Sequence, residues 1–101
     1  MNKVQVHYEK YREHLREIAD IRFASAVLQW DQETYLPFKG NEIRGNQIAT
    51  LNALAHQKFT DEKTGSLLLE LLSMDGLSEI QHKNVLLSYE DFIKSKKLPS
   101  E

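Results

Sequence analysis

Apolar residues recur every three or four positions through the opening stretch of the chain, at Val4, Tyr8, Tyr11, Leu15, Ile18, Ile21, Ala24, Val27 and Leu28. That spacing follows the 3.6-residue period of an α-helix rather than the alternation of a strand, and predicts one long helix with a single buried stripe. Glu9, Lys10, Arg12, Glu13, Arg16, Glu17 and Arg22 fall between these positions and keep the opposite face wet. Glu9 with Arg12 and Glu13 with Arg16 are i, i+3 pairs worth about 0.3 kcal/mol each, which offsets the repulsion along Glu9, Glu13 and Glu17.

The helix is expected to stop or bend between Gln29 and Leu36. Pro37 disfavours helical geometry at the residue before it, and Gly40 with Asn41 adds a turn signal, so a loop is expected there. A second helix, with a weaker pattern, is expected from about Asn41 to Lys58, with Ile43, Gln47, Leu51, Leu54 and Ala55 along one side. Thr60 is the expected N-cap of a third, with Asp61 and Glu62 in its first turn, where the helix dipole favours carboxylates. Leu67, Leu68, Leu69, Leu71 and Leu72 cover more than one face, which predicts burial between neighbours. Ser73-Met74-Asp75-Gly76 ends this element. Ser78 with Gln81 is a capping-box pattern that opens a fourth helix carrying Ile80, Leu87, Phe92 and Ile93. Lys94, Lys96 and Lys97 close it, and Leu98-Pro99-Ser100-Glu101 reads as a break before a further element, because proline suits the first position of a helix.

The expectation is therefore an all-α fold of about four helices, a single helical segment over 1–101. Hydrophobic residues make up 41% of the chain and charged residues 28%, ordinary values for a segment that folds. Thirteen basic residues are spread among fifteen acidic ones for a net charge of -2, which leaves no basic field for nucleic acid. No stretch has the length or apolarity of a signal peptide or a membrane span, so no membrane partner is expected, and cytoplasm is the default location.

No complete catalytic or metal site can be assembled from these residues. The chain has no cysteine, hence no thiolate nucleophile and no cysteine-type zinc site. Its four histidines are His7, His14, His56 and His82, without His-Glu-x-x-His spacing. Glu79 and His82 have the Glu-x-x-His order of di-iron bundles, but one copy falls short of such a site, and Glu79 in a first turn is accounted for by capping or the dipole. His7 and His14 are expected to flank the buried stripe of the first helix. The glycines Gly40, Gly45, Gly65 and Gly76 are too scattered to form a phosphate loop, and no Gly-x-Ser-x-Gly occurs.

Trp30-Asp31-Gln32-Glu33-Thr34-Tyr35-Leu36-Pro37 is the most informative stretch, gathering the single tryptophan, two carboxylates and a proline. Its plainer reading is structural, with Trp30 plugging the core and Asp31 and Glu33 satisfying donors at helix ends. Its functional reading is a loop that lines a cleft.

Val27-Leu28-Gln29-Trp30-Asp31-Gln32-Glu33-Thr34, followed by Leu36-Pro37, Gly40, Arg44, Gln47 and Leu51, resembles the N-terminal signature of the carboxypeptidase Taq family of metallocarboxypeptidases. The likeness continues through His56, Thr60, Gly65, Leu68, Leu69, Asn84-Val85, Asp91 and Lys97-Leu98-Pro99. It implies a larger, almost entirely helical protein that removes C-terminal residues from peptides by metal-assisted hydrolysis, often as a homodimer, with zinc or cobalt as the metal. In that chemistry two histidines one helical turn apart and a further carboxylate hold the ion, and a glutamate activates water as general base. None of those residues falls in this segment, so no position here receives a catalytic or metal role and the segment itself needs no cofactor. The resemblance implies an N-terminal helical arm beside the substrate groove, with Trp30, Asp31, Glu33, Thr34 and Arg44 as the candidate groove or lid region. The alternative is a free-standing helical interaction module whose apolar stripe docks a partner helix.

Overall fold

The computed structural model describes residues 2–34 and 41–97, with the backbone alone at Asn41. The turn expected at Tyr35 to Gly40 and the break expected at Leu98 to Glu101 lie outside the described residues. Among the described residues there are four α-helices and no strand: α1 (Lys3–Thr34), α2 (Asn41–Thr60), α3 (Glu62–Ser73) and α4 (Glu79–Lys96).

Asn2 opens α1 by accepting the Gln5 N–H on its side chain at 2.9 Å. The helix then runs for 32 residues without interruption. This corrects the expected loop: Gln29 to Thr34 form the last turns of α1, and the signature stretch through Thr34 is helical. The restraint from a proline falls on its immediate surroundings and does not reach back to Gln29. Contacts described below tie this part of α1 to α2.

Three cross-links set the register of α1 against α2: Glu17 to Lys58 at 3.8 Å, Ser25 to Asn52 at 2.6 Å and Asp31 to Arg44 at 2.5 Å. As one partner number rises the other falls, so the two helices are antiparallel. α3 runs in the same sense as α2 after a break at Asp61, and it meets α1 at His14 to Thr64 and His7 to Glu70. α4 then runs back parallel to α1, shown by Gln5 opposite Gln81, Tyr8 opposite Asn84 and Tyr11 opposite Ser88. The molecule is an elongated body of 55 × 27 × 17 Å. Its thicker end carries α1, α3, α4 and the end of α2, and its thinner end is the α1–α2 hairpin.

The core lies at the thick end, formed by Val4, Tyr8, Tyr11, Ile18, Ala55, Phe59, Leu68, Leu71, Val85 and Phe92. Ile18, Leu68, Leu71 and Val85 are fully enclosed, and burial of each aliphatic side chain contributes about 2 kcal/mol. The leucine run is partly as expected: Leu68 and Leu71 are enclosed and Leu67 and Leu72 partly so, but Leu69 is 52% exposed. On α2 the expected stripe is only partly buried: Ala55 enters the core as expected and Phe59 joins it, while Ile43 is 66% and Leu54 40% exposed. On α4 Ile80 and Leu87 face solvent, and Val85 with Phe92 are the buried pair. Each difference has one origin: a helix surrounded unevenly buries the side that meets its neighbours, whichever side is richer in aliphatics.

Thr60 is also reassigned. It is the last residue of α2, its hydroxyl donating to the His56 carbonyl at 2.8 Å, and Asp61 caps α3 by accepting the Lys63 N–H at 2.9 Å. The capping box at α4 is present in both directions between Ser78 and Gln81. Gln81 also exchanges amide hydrogen bonds with Gln5 at 3.4 Å, which ties the start of α4 to α1. Two glycines are required by geometry. Gly76 holds φ at +108° in the turn before α4, a conformation that costs other residues energy. At Gly65 a Cβ would stand 2.6 Å from the Phe92 ring, so α3 and α4 approach where only hydrogen fits.

Candidate functional site

The candidate residues Trp30, Asp31, Glu33 and Thr34 occupy the final turns of α1, and Arg44 the start of α2, so all five sit at the tip of the hairpin. The structure brings Asp31 and Arg44 together: Arg44 donates from Nη1 to Asp31 Oδ2 at 2.5 Å and from Nε to Gln47 Oε1 at 3.1 Å. Their side chains are 38% and 21% exposed, so the ion pair is partly sheltered and less screened than a surface pair. At the neighbouring positions, a Cβ at Gly45 would lie 3.8 Å from the Gln32 side-chain amide nitrogen, an ordinary van der Waals contact across the hairpin. Thr34 returns its hydroxyl to the Trp30 carbonyl at 2.8 Å and so stays within its own helix. Trp30 is 57% exposed, which overturns its expected role as a core plug. Glu33 is exposed.

With its guanidinium already matched by Asp31, Arg44 clamps the hairpin in register and leaves little positive field for an anion. The tip therefore offers an aromatic surface beside a neutralised ion pair, an arrangement suited to packing and positioning.

Two of the four histidines, His7 and His14, make contacts within the scaffold. His7 donates from Nδ1 to the Lys3 carbonyl at 3.0 Å and presents Nε2 to Glu70 at 3.6 Å. His14 Nε2 lies 2.7 Å from Thr64 Oγ1, whose own proton goes to the Lys58 carbonyl at 2.8 Å. Since the threonine has one proton, His14 must donate, which assigns it an Nε2–H. Both flank the buried stripe, as expected. His56 is half-buried on α2, and His82 lies exposed on α4 one turn from Glu79.

Among the described residues no three His, Cys, Asp or Glu side chains converge as a metal would require.

Polar residues outside the predicted set also organise the fold. Buried Ser25 donates to Asn52 at 2.6 Å and locks the middle of the hairpin. Tyr11 donates to the Asn84 carbonyl at 3.1 Å and meets Ser88 at 2.8 Å, while Asn84 donates to Tyr8 at 3.3 Å. Burial pushes the Tyr11 hydroxyl above the ordinary phenol range, against the opposing effect of Ser88. At the surface, Arg16 holds the Glu13 carboxyl below its usual range by hydrogen bond and charge. Tyr8 and Tyr11 were legible as stripe positions of α1, and Ser25 sits one turn beyond Ile21 on the same helix.

The family model described as Carboxypeptidase Taq (M32) metallopeptidase matches residues 10–101. Thermostable carboxypeptidase 1 of Thermus thermophilus is 41% identical over 76 residues, a match covering 71% of this chain and 15% of that protein. A solved structure titled "The Structure of CHT" superposes with a TM-score of 0.87 at 51% identity, over 93% of this chain and 19% of that one. The chain thus spans less than a fifth of each of these relatives. With the family model matching residues 10–101 and both relatives agreeing with it in sequence and fold, the chain belongs to the carboxypeptidase Taq metallopeptidase family.

Proposed function

We propose that this chain is the N-terminal, non-catalytic helical part of a metal-dependent carboxypeptidase that hydrolyses C-terminal residues from peptides. The observation that carries the reading is the family match over 10–101 together with the 15% share of the Thermus carboxypeptidase that the chain covers. The metal, zinc or cobalt, and the general base belong in this reading to the remaining sequence that the longer relatives carry. Peptides are the substrate of that whole protein, which works in the cytoplasm as a homo-oligomer. The part played by the hairpin tip is mechanical: Trp30, Asp31, Glu33, Thr34 and Arg44 form a groove wall or lid held in shape by the Asp31–Arg44 pair.

The test is to assay release of C-terminal amino acids from short peptides by the 101-residue chain and by a family-length polypeptide that begins with it. Both are supplied with zinc or cobalt and then treated with a chelator. The expected outcome is chelator-sensitive release by the long polypeptide and none by the short one. Release by the short chain with stoichiometric bound metal would overturn the non-catalytic reading, and a metal-loaded long polypeptide inert on every peptide would overturn the reading entirely.

A further inference from the structure

α4 is apolar on three sides. At about 100° per residue, Val85 with Phe92, Ile80 with Leu87, and Leu86 with Ile93 form three lines spread around the helix, each an i, i+7 pair. The first line is buried in the core. The other two are open, with Ile80 at 73% and Leu87 at 50% exposure, and Leu86 at 40% and Ile93 at 37%. Ile93 shares a groove of about 370 Å³ with Tyr89 and with Leu69, Gly65 and Ser66 of α3, and Leu69 is itself half exposed. A strip of exposed charges, Glu79, Lys83, Glu90 and Lys94, separates the two open lines.

We propose that α4 is an interior helix of the family-length protein, and that its two open lines seat two separate apolar helices of the same polypeptide. Those helices come from the sequence that the long relatives carry outside the matched part. This rests on the functional reading above, since it needs that longer chain. Two observations select this occupant over a second copy. A helix whose apolar residues extend well beyond one stripe is built for neighbours on more than one side. The relatives have ample chain to supply them, as the matched part is 15% and 19% of theirs. A second copy docked about a two-fold axis would instead meet α4 through one patch. A patch wide enough for both lines would bury the charges of the strip, which is costly unless each finds a partner. Two helices, one along Ile80 and Leu87 and one in the groove of Leu69 and Ile93, cover the apolar lines and leave the strip in water.

The chain has no cysteine, so a single introduced thiol reports on one site. Leu87→Cys, Ile93→Cys and Glu90→Cys are each to be alkylated in two polypeptides shown helical by circular dichroism. One is the 101-residue chain, and the other is a family-length hybrid in which this chain replaces the matching part of the Thermus relative. Rates are read by the mass of the peptide that carries the thiol and divided by the rate in urea. Leu87→Cys and Ile93→Cys should react at least tenfold more slowly in the hybrid than in the short chain, while Glu90→Cys keeps its rate. An open thiol at either Leu87 or Ile93 in the hybrid would overturn the proposal, and so would protection of Glu90→Cys along with them. Protection in the short chain that grows with protein concentration would assign the lines to a second copy, with the same consequence. Leu87→Lys and Ile93→Lys give a reading without a thiol: each should leave the Tm of the short chain unchanged and lower that of the hybrid, and equal shifts in both would overturn the proposal. Peptide hydrolysis by the unsubstituted hybrid reports the functional reading separately: activity with open thiols refutes the interior helix alone, and inactivity with the expected protection refutes the function alone.

Discussion

Gly65→Ala sets two physical effects against each other at one position. Gly65 lies inside α3, where replacing glycine by alanine should stabilise a helix by about 1 kcal/mol. The added methyl, however, would stand 2.6 Å and 2.8 Å from two atoms of the Phe92 ring. That ring cannot easily withdraw: it is 5% exposed, meets Phe59 edge-on at 6.3 Å between centroids and stacks on Tyr89 at 6.1 Å. Overpacking a closed site costs about 3 kcal/mol at the upper end of its range. The steric effect therefore wins, with a net loss of about 2 kcal/mol, or about 10 °C in Tm for a domain of this size. Urea unfolding of Gly65→Ala, Phe92→Leu and the double variant tests the reasoning, because leucine removes the ring atoms that clash. The double variant should be less destabilised than the sum of the two singles by about 1 kcal/mol or more. A Gly65→Ala protein more stable than the parent, or strictly additive energies, would refute it.

Tyr11 supplies a pH prediction with a definite sign. Its folded pKa is raised, so the stabilisation is fully present below the ordinary phenol range and is lost as pH rises through the folded value. Thermal melts taken from pH 9 upward should fall in Tyr11→Phe less steeply than in the parent, and equal slopes would discard the assignment. At the hairpin tip, a double-mutant cycle of Asp31→Asn and Arg44→Gln should give a coupling of about 1 kcal/mol, the upper end for exposed pairs because both side chains are partly sheltered. That coupling should shrink as salt is raised, and a value that salt leaves unchanged would mean that the contact is not ionic.

The sequence by itself determined the helical class, the wet face of α1, both surface Glu–Arg pairs and the capping box at Ser78, because all of these depend on residues within a turn or two of each other. It also carried the family, through the block around Trp30 and the spacing after it. Tertiary structure decided the rest. Pro37 and Gly40 predicted a loop from Gln29, yet α1 stays helical to Thr34, where Ser25, Gln32 and Asp31 meet Asn52, Gly45 and Arg44 of α2. Nothing local distinguishes Val85, which is enclosed, from Leu87, which is half exposed. That choice follows from α1 and α3 standing on one side of α4. Trp30 was read as a core residue, yet it is 57% exposed near the end of α1: burial depends on what arrives from elsewhere in the chain, and no window of sequence contains that.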